Sequence, residues 1–530
     1  MPNTSKPPRR LSTLDATFLY FERPSQILHI GSTLTFDGPV DCERLIGDLG
    51  ARLHLIPRYT DRVLPVPLGL AHPTWEPDPE FDLRAHVQRR TLRPPGNDQQ
   101  LAELCAALYA QPLNRNKPLW EVYVIDGYTG DRGAPSWVRS APDEAVEAAR
   151  SATGGPPRSA VFVKVHHCMI DGVSGVQLLG VLLDVSPKPA PVPPPGFRSC
   201  PPLPGFTSRL ADAVSHQITT GIRRTVKAVS LLARPRKAIT ELRETADAIA
   251  YVVRTILAGE RQSPFNGPIS NTRGLAWATF SLNETKAIKN RLGGSVNDVV
   301  LAVISGALRR VLDQHGVNPD RLELHAIVPV NVRGAHEHLK LGNLISIMVA
   351  PLPVGIFDPV ERLRQVRAAT ALLKTKNDSA KMRRIIRLLD LVPPSVEQLF
   401  SWVPRPGAPV NTICTNVPGP PIALYMQGVR LERMMPFVPL AEGIGLGFAI
   451  VSYSDTLTIG ITADAGLVPD LREIVEPLHA SFEELWAITG LTRVRPRRPV
   501  LPERKRRLAT ASTSSGPAAR ASAISQAQPQ

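Results

Sequence analysis

Two adjacent histidines follow an apolar run in "AVFVKVHHCMIDGVSG", residues 160–175. His166 and His167 are followed by Asp171 and Gly172, which lie four and five residues past the second histidine. A histidine titrates near neutral pH, so it can take a proton from an attacking hydroxyl and accelerate a reaction about 10²–10⁴-fold. Imidazoles and carboxylates also bind metal ions, and many buried histidines only pack. The stretch therefore predicts a general base, a metal site or a pair of core histidines.

The strand predicted over 160–167 separates the two imidazole rings. Side chains alternate along a strand, so adjacent residues point to opposite faces. Such rings do not converge on one metal ion, and the HExxH spacing that places two rings on one helical face is absent. Asp171 and Gly172 fall at the expected strand-to-helix corner, where the aspartate can orient backbone groups and the glycine supplies backbone freedom. The general base and the packed pair are favoured over a metal site formed by His166, His167 and Asp171, and all three remain open.

Strands and helices alternate along most of the chain, which predicts an α/β or α+β protein in two lobes. Apolar alternation or continuous apolar runs predict strands at 118–128, 160–167, 275–282, 324–332, 345–354, 410–417 and 456–464. Apolar residues at helical spacing predict helices at 41–54, 98–110, 284–292, 297–314, 358–376 and 470–488. The histidine pair therefore belongs to the sheet of the first lobe.

Composition divides the 530 residues into four segments. Nine prolines among the 19 residues of 187–205 predict an extended linker. Residues 129–159 are rich in small, charged, Gly and Pro residues, which predicts an exposed insertion. The predicted boundaries are a first lobe at 1–186, a linker and helical connector at 187–265, a second lobe at 266–490 and a disordered basic tail at 491–530.

The net charge of +15 is concentrated at the carboxyl end. Nine Lys and Arg against one Glu give residues 491–530 a charge of +8. No zinc-finger spacing and no basic strand interleaved with aromatics accompany it, so we expect no nucleic-acid partner. No apolar stretch approaches the roughly 20 residues that span a bilayer. Five scattered cysteines without a CxxC pair predict neither a disulfide framework nor a zinc ribbon, and a reducing cytoplasm fits them best.

Several sequence blocks, in order from residue 11 to about 490, give the chain a family resemblance. The blocks are "LSTLDATFLYFE", "NKPLWEVYVIDG", "VKVHHCMIDGVSG", "SPFNGPISNTRGLAWATFSL", "GGSVNDVVLAVISGALRRVL", "VPVNVRG", "LGNLISIMVAPLP", "TNVPGPP" and "LGFAIVSYSDTLTIGITAD". "HHCMIDG" matches HHxxxDG, the signature of CoA-dependent acyltransferases and peptide-synthetase condensation domains. Together the blocks resemble the bacterial bifunctional wax ester synthase/acyl-CoA:diacylglycerol acyltransferases. The resemblance implies two chloramphenicol-acetyltransferase-like lobes with a substrate tunnel between them and the histidine motif in its middle.

The resemblance also implies roles for the residues of the histidine motif. His167 matches the proton acceptor, with His166 beside it in the signature. Asp171 matches the residue that keeps the geometry of the site, and Gly172 matches its turn. A thioester carbonyl is already electrophilic, so the expected reaction needs no covalent enzyme intermediate, no metal and no bound cofactor.

Three further residues are weaker candidates. Asn297 and Asp298 match the family's second signature and are expected to support the site, although Asn-Asp before a helix is also an ordinary cap. Arg333 is expected to meet a phosphate of CoA or to pair with Asp171, unless it is a solvated surface residue. The tryptophan of "PLW", Trp120, is expected to pack in the core without a chemical role.

The expected function is transfer of a long-chain acyl group from acyl-CoA to diacylglycerol, and also to long-chain alcohols. The alternatives are a relative that acylates another hydroxyl acceptor and a non-catalytic lipid-binding relative. Lipid acceptors reside at membranes or storage bodies, so a cytoplasmic protein with peripheral contact to a lipid surface is expected. Residues 207–260 combine cations with apolar stripes and are the candidate for that contact, if those stripes do not pack on the lobes.

Overall fold

A computed structural model describes the arrangement of most of the chain. It describes residues 9–130, 158–169, 174–189, 191–194, 200–232, 234, 236, 239–240, 243–247, 250, 263–331, 345–375, 392–401 and 410–493. Chain contacts separate Met1–Gly490 from Leu491–Gln530. Most of the predicted insertion, part of the predicted connector and nearly all of the predicted tail lie outside the described residues, so those boundaries stay predictions.

Fourteen strands are present among the described residues. They are β1 (His29–Phe36), β2 (Asp61–Leu64), β3 (Thr74–Pro77), β4 (Val87–Thr91), β5 (Trp120–Tyr128), β6 (Arg158–His166), β7 (Arg273–Ser281), β8 (Leu324–Asn331), β9 (Ile345–Leu352), β10 (Thr412–Pro418), β11 (Tyr425–Met426), β12 (Val429–Phe437), β13 (Leu446–Tyr453) and β14 (Thr456–Asp464). Every strand predicted from the sequence is found. The strand expected at 160–167 ends at His166, because His167 begins a 3-10 turn over His167–Met169.

The described residues also form eleven α-helices. They are α1 (Thr13–Phe21), α2 (Cys42–Arg52), α3 (Leu83–His86), α4 (Asp98–Tyr109), α5 (Ser174–Leu182), α6 (Phe206–Leu232), α7 (Leu282–Leu292), α8 (Val296–Gln314), α9 (Pro359–Thr375), α10 (Pro394–Ser401) and α11 (Arg472–Ile488). None of the helices that the structure describes is both long enough and apolar enough to cross a membrane.

Two six-stranded sheets organise the two lobes. The first has the order β11-β12-β1-β6-β5-β4, and it is antiparallel except for the parallel pair β4 and β5. The second has the order β7-β14-β13-β10-β8-β9, with parallel pairs only between β13 and β10 and between β10 and β8. The fold is therefore mixed α/β in two lobes, as the sequence predicts.

The first sheet takes two strands from the second half of the chain. Strand β12 pairs along β1 from Gly31 opposite Phe437 to Phe36 opposite Leu431. Apolar side chains of this region, including Leu431 and Met434, enter the core of the first lobe. The first sheet therefore includes two strands from the part of the chain predicted to form the second lobe, whereas no described strand of the first half belongs to the second sheet.

The core of the second lobe forms around α8, whose sequence explains its central place. Ser295 caps its first turn, and the run "VVLAVISGAL" provides apolar residues on nearly every face. Residues Asp298–Leu308 are all buried, so α8 is surrounded by protein rather than lying on a surface. Helices α9 and α11 pack against it. A separate cluster around Tyr109 and Phe437 joins α4 to β7 and ties the lobes together.

Candidate active site

The histidine pair lies where β6 leaves the first sheet. The backbone N–H of His166 donates to the carbonyl of Leu119 (2.9 Å), on the side of β5. The backbone N–H of His167 donates to the carbonyl of Leu28 (2.9 Å), on the side of β1. The last residue of β6 and the first residue of the turn are therefore held from opposite sides. This places both rings at the end of a rigid, buried strand.

His166 is the buried member of the pair, only 1% exposed. Its Nδ1 accepts a hydrogen bond from the backbone N–H of Cys168 (3.1 Å). Its Nε2 lies 3.3 Å from Oε1 of Glu22, in a contact that is electrostatic rather than a well-aligned hydrogen bond. Since Nδ1 is the acceptor, the proton of the neutral ring is on Nε2, and no lone pair remains for a metal ion. These contacts hold the ring of His166 in one orientation, and its role in the reaction stays a prediction.

His167 is partly exposed, and its ring stacks on Phe18 of α1. The ring centroids lie 3.9 Å apart with an interplanar angle of 19°. The buried Nδ1 has no hydrogen-bond partner in another described residue. A neutral imidazole carries one proton and leaves the other ring nitrogen as the base, so Nε2 is the basic nitrogen when the proton is on the enclosed Nδ1.

His167 is partly exposed as a residue, but its ring group is enclosed by protein, and this loss of contact with water keeps the imidazole neutral. Loss of hydration, together with the neighbouring ring of His166, lowers the pKa of His167 to about 4. A neutral imidazole can accept a proton at pH 7, whereas an imidazolium is disfavoured at this position. A proton taken by His167 is therefore expected to be passed on within the same reaction cycle.

The lowered pKa predicts an unusual pH profile for catalysis that depends on a neutral His167. Activity should fall on the acid side near pH 4, because the ring becomes protonated only below its folded-state pKa of about 4. An ordinary histidine would lose activity near pH 6.5. The unfolded chain binds this proton more readily, so the contribution of His167 to stability is full above pH 6.5 and is lost as the pH falls toward 4. Initial rates from pH 4 to 8, beside circular dichroism at each pH, test this. An acid limb near 6.5 in the folded protein would contradict it.

Helix α1 and the loop before β5 supply a carboxylate and a guanidinium beside the pair. Glu22, which follows α1, bonds the guanidinium of Arg115 (2.7 Å) and the backbone N–H of Leu28 (3.3 Å). Burial alone would raise the pKa of Glu22, but the contacts with His166 and Arg115 outweigh it and lower that pKa to about 2. Glu22 is therefore ionised whenever His167 is neutral. Its carboxylate contacts the ring of His166.

A third histidine, His29, lies opposite His166 in the strand pair β1–β6. Its Nε2 contacts the carbonyl of Tyr109 at 2.6 Å, and burial holds its pKa at about 3. Sequence reasoning named none of Glu22, Arg115 and His29. Glu22 and Arg115 belong to or adjoin quoted blocks, but nothing local shows that they reach His166. Trp120 is confirmed as a core residue, fully buried with its Nε1 bonded to the carbonyl of Tyr59 (2.8 Å).

Asp298 completes a capping box at the start of α8. Its Oδ2 accepts hydrogen bonds from the backbone N–H (2.7 Å) and the hydroxyl (2.8 Å) of Ser295, and its Oδ1 accepts from Thr370 of α9 (2.7 Å). The neighbouring Asn297 accepts a bond from Asn416 of β10 (3.2 Å). The Asn-Asp pair therefore joins α8 to α9 and β10. Its contribution to catalysis stays a prediction.

Removing the carboxylate of Asp298 is expected to destabilise the protein. Asp298→Ala deletes one arm of the capping box and leaves the buried hydroxyl of Thr370 with only the longer bond to the carbonyl of Arg367 (3.2 Å), so the free energy of unfolding should fall by about 2–4 kcal/mol. Urea unfolding measures this. Asp358→Ala is the matched control, because Asp358 is exposed and accepts one bond from the N–H of Glu361, and it should lose less. Unchanged stability with lost activity would contradict the structural role.

Three predicted site residues cannot be placed. Asp171, Gly172 and Arg333 lie outside the described residues, so their predicted roles stay predictions. The predicted tunnel is likewise not traced. The described residues do form a cavity of about 630 Å³ beside α1, and its lining includes Glu22, Arg115 and Leu119. Glu22 and Leu119 contact His166 and Arg115 pairs with Glu22, so the cavity adjoins the surroundings of His166, although neither histidine belongs to its lining.

Family models match most of the chain. The model of the wax ester synthase/diacylglycerol acyltransferase catalytic domain matches residues 11–135 and 156–300, which include the histidine pair. The model of the WS/DGAT C-terminal domain matches residues 341–486. The two models together span both lobes.

Relatives of similar length support the same assignment. A Mycobacterium tuberculosis H37Rv protein, provisionally named a diacylglycerol O-acyltransferase, is 32% identical over 502 residues, 90% of each chain. The tgs1 protein of the same strain is also named as a diacylglycerol O-acyltransferase. It is 31% identical over 505 residues, 93% of this chain and 98% of that one.

Solved structures share the fold. The wax ester synthase/diacylglycerol acyltransferase from Marinobacter aquaeolei VT8 is 23% identical, with a TM-score of 0.60 over 91% of this chain and 100% of that one. The first condensation domain of the calcium-dependent antibiotic synthetase has a TM-score of 0.55 at 15% identity, over 91% of this chain and 97% of that one. Fold, matched models and relatives agree, and the chain belongs to the wax ester synthase/diacylglycerol acyltransferase family of acyltransferase enzymes.

Proposed function

We propose that the protein transfers a long-chain acyl group from acyl-CoA to diacylglycerol, and also to long-chain alcohols, with His167 as the general base. The observation that carries the proposal is the partly exposed, neutral imidazole of His167 at the end of β6, in a chain of this family. Relatives named as diacylglycerol O-acyltransferases favour diacylglycerol as the acceptor.

The reaction that fits this ring is direct acyl transfer. Nε2 of His167 takes the hydroxyl proton as the acceptor oxygen attacks the thioester carbonyl, and a tetrahedral oxyanion forms. The carbon–sulfur bond then breaks, and the imidazolium returns the proton to the departing thiolate. The products are the ester and free CoA, with the enzyme unchanged. No metal or bound cofactor takes part in this scheme.

The neighbouring residues have supporting roles in the proposal. His166, fixed by Glu22 and by the N–H of Cys168, holds the turn that presents His167. Asp171 keeps the geometry of that turn and Gly172 allows it, as the resemblance implies. Asn297 and Asp298 support the site from α8, and Arg333 meets a phosphate of CoA.

A panel of acceptors tests the function. The purified chain is incubated with radiolabelled palmitoyl-CoA and, separately, with dioleoylglycerol, hexadecanol and a glycolipid bearing a free hydroxyl. Labelled triacylglycerol is the expected product, with wax ester as a second. Release of thiol without either ester, or ester only on the glycolipid, would contradict the proposal. Lipid binding without turnover on any acceptor would favour a non-catalytic relative.

The proposal includes contact with a lipid surface through α6. Val214, Ile218, Ile222 and Val226 follow each other at intervals of four residues and are 44%, 60%, 61% and 63% exposed. Residues four apart share one face of a helix, so they form a continuous apolar stripe. Such a stripe is typical of helices that lie in a membrane interface.

Polar substitution of this stripe should weaken membrane association. Ile218→Ser with Ile222→Ser is expected to reduce co-flotation with vesicles of phosphatidylcholine and diacylglycerol severalfold, because each change removes apolar surface from the interface. Leu55→Ser is the control, since Leu55 is 50% exposed on a different part of the first lobe. Equal flotation of the double variant and the unmodified protein would exclude α6 as the contact.

A further inference from the structure

The cavity beside α1 has a strongly cationic lining. Four arginines, Arg23, Arg62, Arg115 and Arg209, contribute to its wall, whereas Glu22 is the one acidic residue in that lining. We call it the arginine cavity. The remaining wall is largely apolar, with Leu19, Val63, Leu64 and Leu119 among its residues. A neutral acceptor would remove these guanidinium groups from water without supplying a counter-charge, which is unfavourable.

Two of the arginines have donors without partners. Nε of Arg62 and Nε of Arg209 are buried and have no hydrogen-bond partner among the described residues. The other contacts of Arg62 are long, at 3.3 Å to Oδ1 of Asn116 and 4.0 Å to Oδ1 of Asp78. Arg209 donates to the carbonyl of Pro65 (2.8 Å). Buried donors without acceptors are costly, so a ligand oxygen at these positions would be favoured.

The arginines come from separate elements that meet at this one place. Arg62 belongs to β2, Arg209 to α6, and Arg23 follows α1 and donates to the carbonyl of Ser401 in α10. The guanidinium group is planar, permanently charged and matches the geometry of phosphate oxygens. Arg115 and Glu22 also line the cavity and pair with each other (2.7 Å), and Glu22 contacts His166.

We propose that the arginine cavity binds the phosphate groups of the CoA donor, with Arg62 and Arg209 as the principal contacts. The inference rests on the proposed function in naming CoA as the source of the phosphates. The apolar wall between these arginines and Leu119 then accommodates the pantetheine arm as it runs toward the histidine pair. Binding of phosphate itself is independent of whether acyl transfer occurs.

Isothermal titration of the full chain with adenosine 3′,5′-bisphosphate tests the site. This probe carries phosphates of CoA but neither thiol nor acyl group, so its binding does not depend on turnover. The double variant Arg62→Gln with Arg209→Gln is expected to weaken binding about tenfold or more, as the loss of two charge-assisted contacts implies. Arg84→Gln is the matched control, because Arg84 is exposed and pairs with Glu43 (2.7 Å) away from the cavity. Equal affinity of the double variant and the control overturns the proposal.

Two further measurements identify the source of the phosphate. In acyl transfer, the double variant should raise KM for palmitoyl-CoA about tenfold, and the rise should be smaller with palmitoyl-pantetheine, which lacks the nucleotide. If the double variant instead loses binding to vesicles containing phosphatidylglycerol and keeps its affinity for the bisphosphate, the ligand is a lipid headgroup and the CoA assignment is overturned. The protein could bind the bisphosphate through Arg62 and Arg209 and yet be inactive on every acceptor. That outcome would support the phosphate site and contradict only the proposed function.

Discussion

His167→Gln is expected to reduce kcat for ester formation about 10²–10⁴-fold while leaving the protein folded. That range is the usual contribution of a positioned general base. Glutamine retains part of the packing against Phe18 but cannot take the hydroxyl proton. The loss of kcat is measured with palmitoyl-CoA and dioleoylglycerol as substrates, with the rate of CoA release as the readout. His315→Gln is the matched control, because His315 is exposed and pairs with Glu473 (2.9 Å) at the surface of the second lobe.

The comparison with His166 separates chemistry from positioning. His166→Ala should lower stability, since Glu22 loses its contact with the imidazole and keeps only Arg115 as a side-chain partner, and it should reduce kcat less than the change at His167. The His166→Ala variant should still lose activity near pH 4, because that loss reflects protonation of His167. Equal losses of kcat for the two variants at full folding would contradict the division of roles.

Asp464→Ala is expected to lower the free energy of unfolding by about 3–5 kcal/mol, the usual cost of breaking a buried ion pair on one side. Asp464 at the end of β14 is 1% exposed and lies 3.1 Å from Arg273. Its Oδ2 also accepts from the backbone N–H (2.6 Å) and hydroxyl (2.8 Å) of Ser270. The substitution leaves the guanidinium of Arg273 buried without its counter-ion.

Asp464→Ala should also lower kcat, because it disturbs a segment that leads to the candidate site. Arg273 also donates to the carbonyl of Ser25, in the loop between α1 and β1 that leads to Leu28. Urea unfolding measures the stability, and kcat at a temperature where the variant is folded measures the effect on the site. Asp470→Ala is the matched control, because its pair with Arg472 (2.7 Å) is exposed, and little change is expected there. Equal stability of the two variants would contradict the buried pair's importance.

Local patterns were sufficient to predict most elements. The helices at 284–292, 297–314 and 470–488 are found within a few residues because their apolar spacing and caps are local properties. Strand β4, "VQRRT", was not predicted, since it is an edge strand with few apolar residues. Strand β12 was not predicted either, and no local signal shows that it pairs with a strand about 400 residues earlier in the chain.

The candidate site shows the same limit. The histidine pair could be found from its motif, but the environment of His167 depends on the turn that begins there and not on strand alternation alone. Glu22 could not be assigned, because its contact with His166 depends on how α1 packs against the turn after β6. The charge of the arginine cavity was equally hidden, since its residues come from elements that meet only after folding. Residues that contact the site only after folding can be identified from the structure but not from the sequence alone.

The position of β12 in the first sheet has a consequence for synthesis on the ribosome. Strand β1 acquires its second neighbour only when Phe437 has emerged, although the histidine strand beside it was made long before. Until then β1 presents an open edge, which can pair with other chains. A fragment ending at 186 is therefore expected to aggregate rather than to fold as an autonomous module, and splitting the gene between the lobes requires that both pieces be made together.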